Sequence, residues 1–178
     1  LELMRGAVRQ MDRLLRLVET LIDVSRITAG RLKLHLAWFD LANLVREVSK
    51  RFSPALEKSG CSLSVEVPSS LEGYWDSSRI EQVLSNLLSN AAKYGAGTRV
   101  TVSLSSGNGE ARLVVSDRGV GIDSANRKKV FDRFERGNSP PGTHGFGLGL
   151  YICREIVAAH SGKIEVESEP GKGSSFIV

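Results

Sequence analysis

Apolar positions along the chain follow two periods. The first segment has Met4, Val8, Met11, Leu15, Val18, Ile22 and Ser25 at spacings of 4, 3, 4, 3, 4 and 3, with Leu14, Leu17, Leu21 and Val24 as a second stripe beside them. A helix apolar over so wide an arc needs neighbours on two sides, as in a four-helix bundle, and Ala29-Gly30 marks its end. A period of two follows. Leu32, Leu34 and Leu36 alternate with polar residues and predict a half-buried strand over Arg31 to Phe39. Asp40 then caps a predicted helix through about Leu56, whose inner face is Leu41, Leu44, Val45, Val48 and Phe52. Leu63, Val65 and Val67 predict a strand that stops at Pro68, and Asp76 is the predicted cap of the next helix.

That next helix is the most informative stretch. Ile80, Val83, Leu84, Leu87, Leu88 and Ala91 fall on one stripe at 100° per residue, a face packed on a core. Gln82, Asn86, Asn90 and Lys93 form a second, polar stripe with Tyr94 at its end. Asparagine is a middling-to-poor helix former because its amide competes for backbone hydrogen bonds. Two of them one turn apart are either a solvated face or a site. A neutral Asn90 carbonyl can hold a hard cation such as Mg²⁺ without adding negative charge beside phosphates, Lys93 can meet phosphate as a point charge, and Tyr94 offers a ring to a base.

Two further strands, Thr98–Leu104 and Ala111–Ser116, are joined by the turn Gly107-Asn108-Gly109, and the second delivers Asp117, followed by Gly119 and Gly121. A buried carboxylate there can accept from the exocyclic amine of adenine and reject guanine. Residues 122–146 are polar and loop-like, a length typical of a lid. They contain Phe131, Arg133, Phe134 and Arg136. Gly145-Phe-Gly-Leu-Gly-Leu150 then opens a helix running to about His160, and phosphates near such a start gain N–H donors and the positive end of the dipole. His160 is read as helping to end that helix. A strand through Ile164, Val166 and Ser168 and the turn Gly171-x-Gly173-Ser-Ser-Phe176 into a last strand complete the pattern.

Composition adds exclusions. A net charge of +4 is mild, and Arg127-Lys128-Lys129 is the one tight cationic run, so nucleic acid is not an expected partner. No stretch has the uninterrupted apolar length of a membrane span, which predicts no membrane contact from these residues. Cys61 and Cys153 lack metal-ligand spacing and suggest reduced thiols in the cytoplasm, although a parent protein could itself be anchored. The chain begins inside a helical pattern and ends inside a strand-like one, as a fragment of something longer would.

The ordered set N-L-L-x-N-A-x-K-Y at 86–94, D-x-G-x-G at 117–121, F-x-x-F at 131–134 and G-x-G-L-G-L at 145–150 resembles the N box, first glycine box, F box and second glycine box of the GHKL superfamily, in its sensor histidine kinase form. The resemblance implies an α/β (α+β) fold: a two-layer sandwich whose mixed, largely antiparallel sheet packs on helices, preceded by a long heptad-patterned helix. It implies two parts, residues 1–30 as the second helix of a dimerisation hairpin and 31–178 as the ATP-binding catalytic domain. ATP and Mg²⁺ are the implied cofactors. The metal falls to Asn90, catalysis to Lys93, Arg133 and Arg136, and the nucleotide to Asn86, Asn90, Lys93, Tyr94, Asp117, Gly119, Gly121, Ile122, Phe131, Phe134, Gly145, Gly147, Leu148, Gly149 and Leu150. His144 and Phe146 depart from the small or polar residues commoner there.

The implied reaction is transfer of the γ-phosphoryl group to a histidine, for relay to the receiver domain of a response regulator, in a protein dimerised through its hairpin. None of His35, His144 and His160 sits in an acceptor setting, so autophosphorylation of this chain alone is not expected. GHKL ATPases place a glutamate one turn before the metal Asn to activate water, and here Asn86 is an amide that cannot act as a general base. A GHKL ATPase or serine kinase, and a scaffold that binds nucleotide without catalysis, are the competing readings.

Overall fold

The computed structural model describes residues 2–135 and 146–178, which divide into two compact units, 1–33 and 34–178. The first unit is the helix α1 (Glu2–Thr28). It ends on a Schellman motif: Gly30 has φ +63°, its N–H donates to the Ile27 carbonyl (2.9 Å), and Arg31 N–H donates to that of Arg26 (2.8 Å). Met11, Leu14, Leu15, Val18, Leu21 and Ile22 are exposed on this helix.

In the second unit, β1 (Ala37–Asp40) leads into α2 (Leu41–Lys58), followed by β2 (Ser62–Glu66), β3 (Glu72–Trp75) and α3 (Ser77–Tyr94). The hairpin β4 (Arg99–Gly107) and β5 (Glu110–Asp117) comes next, then a single 3₁₀ turn (Lys129–Phe131), α4 (Gly149–Ala159), β6 (Glu165–Glu169) and β7 (Gly173–Ile177). Five strands form one sheet in the order β2-β4-β5-β7-β6. The β2–β4 pair is parallel and the others antiparallel, so the sheet is mixed and largely antiparallel as expected. Alternation decides its faces: Val100, Val102, Leu104, Leu113, Val115 and Phe176 are buried, sharing a core with Val45 and Val48 of α2 and Ile152 and Ile156 of α4. All six residues of the apolar stripe of α3 are buried in that core. β6 is an edge strand, with Glu165, Glu167 and Glu169 exposed along it.

One expectation needs correction. The strand predicted over Arg31 to Phe39 is confined to Ala37–Asp40, because it pairs with β3, which is four residues long. β3, which the pattern along the chain does not announce, contains Gly73. That glycine is buried beneath the Trp75 ring, which a Cβ would approach to 2.0 Å, and Trp75 packs edge-on against Phe39 at 6.0 Å. The β4–β5 turn is as expected, with Asn108 and Gly109 at φ +55° and +79°, the signs of a type I′ turn.

Asp40 and Asp76 both act as predicted caps, and Asp76 does more. Its carboxylate accepts from the N–H groups of His35 (2.8 Å) and Arg79 (3.1 Å) and from the Ser78 hydroxyl (2.8 Å). Its own N–H donates to Nε2 of His160 at 3.0 Å, while His160 Nδ1 lies 2.9 Å from the Ile156 carbonyl. Nε2 accepts, so the proton sits on Nδ1. His160 therefore not only ends α4 but ties its C-terminus to the N-terminus of α3. Burial alone would push the Asp76 carboxyl up, but these donors outweigh it and hold it below the usual carboxylate range. A carboxylate depressed in the fold contributes stability above its unfolded pKa and loses it as pH falls through the folded value. Asp76→Asn, which still caps, is expected to be less stable than wild type at pH 7, with the gap closing below about pH 4; urea titrations at several pH values measure it.

Candidate active site

The polar stripe of α3 lies partly covered. Asn86 and Asn90 are half-buried, Lys93 is exposed in the last turn, and Tyr94 is half-buried beside the cap Gly95. Asn86 joins two helices: its Nδ2 donates to the Gly149 carbonyl at 3.4 Å and it lies in hydrogen-bonding contact with the Cys153 thiol. Full burial pushes that thiol up to about 12, with the Asn86 amide working the other way. The first turn of α4 is thus held against the middle of α3. Among the described residues none shares a hydrogen bond with the Asn90 amide, one turn further on. Lys93 and Tyr94 are engaged within the protein.

The end of α3 meets the end of β5. Val120 N–H donates to the Tyr94 carbonyl (3.2 Å), which a Cβ on Gly119 would approach to 1.9 Å. Gly121, at φ +69°, would bring a Cβ to 2.0 Å from the Glu169 carbonyl, and Ile122 N–H donates to Ser168 Oγ (2.7 Å). The close approach these glycines permit within the protein is to the backbone of Tyr94 and Glu169. Asp117 is buried and accepts from Gly119 N–H at 2.8 Å. Burial pushes its carboxyl up, against the N–H donors of Gly119 and Ser174.

The F-box residues diverge. Phe131 is buried edge-on to Phe176 at 6.4 Å, whereas Phe134 is 67% exposed at φ +64°, a strained position for a bulky side chain. Phe134 N–H donates to the Gly147 carbonyl (2.8 Å), and a Cβ on Gly147 would lie 2.5 Å from the Phe134 carbonyl carbon, so residues 134 and 147 are in direct contact. Leu148 is buried at the cap of α4, Gly149 and Leu150 are half-buried in its first turn, and Phe146 is exposed. Arg133 lies on Tyr151, a partner nothing in the sequence pattern signals. Arg136, His144 and Gly145 lie outside the described residues. The structure brings the expected N-box and glycine residues together at two points: Asn86 of mid-α3 touches Gly149, and Tyr94 at its end touches Gly119.

A family model described as histidine kinase-, DNA gyrase B-, and HSP90-like ATPase matches residues 75–178. The catalytic domain of histidine kinase ThkA superposes with a TM-score of 0.71 at 30% identity, over 80% of this chain and 95% of that one. The chain belongs to the sensor histidine kinases. Membership in this ATPase family makes the domain an ATP-binding one. The sensor protein KinB of Pseudomonas aeruginosa is 33% identical over 177 residues, 98% of this chain and 29% of KinB, so the chain spans under a third of that relative's length. A structure of full-length ShkA in complex with AMPPNP superposes with a TM-score of 0.85 at 32% identity, over 97% of this chain and 36% of ShkA. ThkA in complex with the response regulator TrrA matches with a TM-score of 0.71 at 28% identity, over 94% of this chain and 47% of that one. No helix among the described residues is long and apolar enough to cross a membrane.

Proposed function

We propose that this histidine kinase domain binds Mg-ATP beside α3 and the start of α4 and delivers the γ-phosphoryl group to a histidine on another segment. The observation that carries the reading is Asn86. At the position where hydrolysing relatives in the superfamily carry glutamate, an amide is spent on holding α4, and an amide cannot take a proton from water. The acceptor is then a nucleophile brought to the site. The nucleotide fits the residues present. Asp117 offers a buried carboxylate to the adenine amine, and the first-turn N–H groups of α4 lack intrahelical acceptors and stand at the positive end of its dipole. Asn90 is half-buried, one turn beyond Asn86 on the same stripe. Among the described residues no three His, Cys, Asp or Glu side chains converge to hold a metal. Asn90 would offer its side-chain oxygen to a hard cation such as Mg²⁺, which when bound would neutralise charge on the phosphates. Lys93, Arg133 and Arg136 supply further positive charge, and Tyr94, Ile122, Phe131, Phe134 and the glycine loop enclose the nucleotide. The domain's contribution is positioning.

The exposed apolar stripe of α1 supports pairing with a second copy through a hairpin, with residues 1–30 as one of its helices and 31–178 as the catalytic domain. The complex of ThkA with TrrA supports a response regulator as the final acceptor. A cytoplasmic site for this domain is supported by its two cysteines, Cys61 and Cys153, which are both free thiols.

Nucleotide binding and phosphate release, measured together, test the reading. The chain is expected to bind Mg-ATP with negligible release, and Asn90→Ala to weaken binding at least about tenfold. Sustained hydrolysis would overturn it in favour of an ATPase.

A further inference from the structure

The third residue of α4, Tyr151, is buried, yet its phenol is bracketed by two cations. The Arg133 Nη2 donates to Tyr151 Oη at 2.7 Å, and its guanidinium carbon lies 4.7 Å from the ring centroid. The guanidinium carbon of Arg154 lies 5.5 Å from the same centroid, and its Nη1 meets the Asp132 carboxylate at 3.2 Å. Residues 132 and 133 are therefore pinned to α4 twice, once through each side chain. Side chains on a helix lean toward its N-terminus, so the Tyr151 ring covers the first turn of α4, and Arg133 is held beside it. A cation beside a helix N-terminus is disfavoured by the dipole unless an anion joins them. A hydroxyl that spends its acceptor on this arginine, and a neighbouring carboxylate occupied by Arg154, leave the other guanidinium N–H groups to orient toward such an anion.

We propose that Tyr151 is a positioning residue for the terminal phosphate of ATP, acting by holding Arg133 against the first turn of α4. The proposal rests on the nucleotide reading above. It predicts a selective defect. An arginine placed for the γ-phosphate distinguishes ATP from ADP, so misplacing it weakens ATP and spares ADP. Tyr151→Phe keeps the buried ring and the stacking of both guanidinium groups and removes only the hydroxyl.

The test is equilibrium binding of Mg-ATP and Mg-ADP to the full chain, by displacement of a fluorescent nucleotide, for wild type, Tyr151→Phe, Arg133→Ala and the double variant. Tyr151→Phe is expected to weaken Mg-ATP by about fivefold while Mg-ADP stays within about twofold, on the scale of one hydrogen bond. Arg133→Ala is expected to weaken Mg-ATP further, and the double variant to bind like Arg133→Ala, because the hydroxyl acts only through the arginine. Parallel loss of both nucleotides, unchanged Mg-ATP binding in Tyr151→Phe, or additive effects in the double variant would overturn the proposal. Failure of the wild-type chain to bind either nucleotide would instead overturn the nucleotide reading on which it stands.

Discussion

Asp117→Asn is expected to lose ATP while keeping its fold. The carboxylate is buried at the end of β5, and burial raises its pKa above the ordinary value. A carboxyl whose folded pKa is raised binds its proton more tightly in the fold than in the unfolded chain, so its contribution is favourable at low pH and is lost as pH rises through the folded value. At pH 7 the ionised group therefore opposes folding. The isosteric amide removes that opposition and keeps an oxygen for the Gly119 N–H. Its melting temperature at pH 7 should equal or exceed that of wild type. The loss falls on the ligand, because the exocyclic amine of adenine then faces a weaker, uncharged acceptor. Affinity for Mg-ATP should drop by about 10²-fold, and preference over GTP should shrink with it. Calorimetric titration with both nucleotides, beside thermal melts, measures the two halves. Wild-type affinity in Asp117→Asn would remove this residue from adenine recognition.

Gly173→Ala is expected to do the reverse, damaging the fold first. Gly173 opens β7 at φ +95°, where a Cβ would stand 2.0 Å from the Asp117 carbonyl oxygen and 2.6 Å from Arg118 Cα. Both are backbone atoms of the neighbouring strand end, and neither can swing aside as a side-chain tip does. Left-handed strain of about 1–2 kcal/mol adds to an overpacking penalty of about 1–3 kcal/mol. Two residues earlier, Gly171 has φ +75° with nothing within 4 Å of a Cβ, so Gly171→Ala should cost the strain alone. Urea midpoints of the two variants separate conformation from collision. Equal losses would show that the β5 and β7 strand ends yield.

The parts of this fold legible in sequence are those written in short-range periodicity. Six positions on α3 repeat at helical spacing, and all six are buried; Asp40 and Asp76 precede apolar helices, and both cap them. The hairpin turn was legible because Asn108-Gly109 accepts positive φ. What could not be read depends on partners far apart in the chain. β3 exists because β1 pairs with it and because Trp75 folds over Gly73. His160 looks like a helix end, and its second nitrogen finds Asp76 across 84 residues. In the candidate site the residue types were legible while their engagement was not. Nothing local to Asn86 announces that its amide is committed to Gly149, nor that Arg133 rests on a tyrosine in α4.

The edge strand β6 bears on how copies of this chain behave together. An unpaired edge is a template for another strand, and a flat apolar one invites fibrous association. Here the outer strand reads Glu165-Val-Glu-Ser-Glu169, with Lys163 and Lys172 bridged to its first and last carboxylates at 2.6 Å and 2.5 Å. A second β6 laid alongside would bring exposed carboxylates together and force these lysines to exchange partners. This edge of the sheet thus discourages its own extension, and copies of this protein should not associate by pairing one β6 with another.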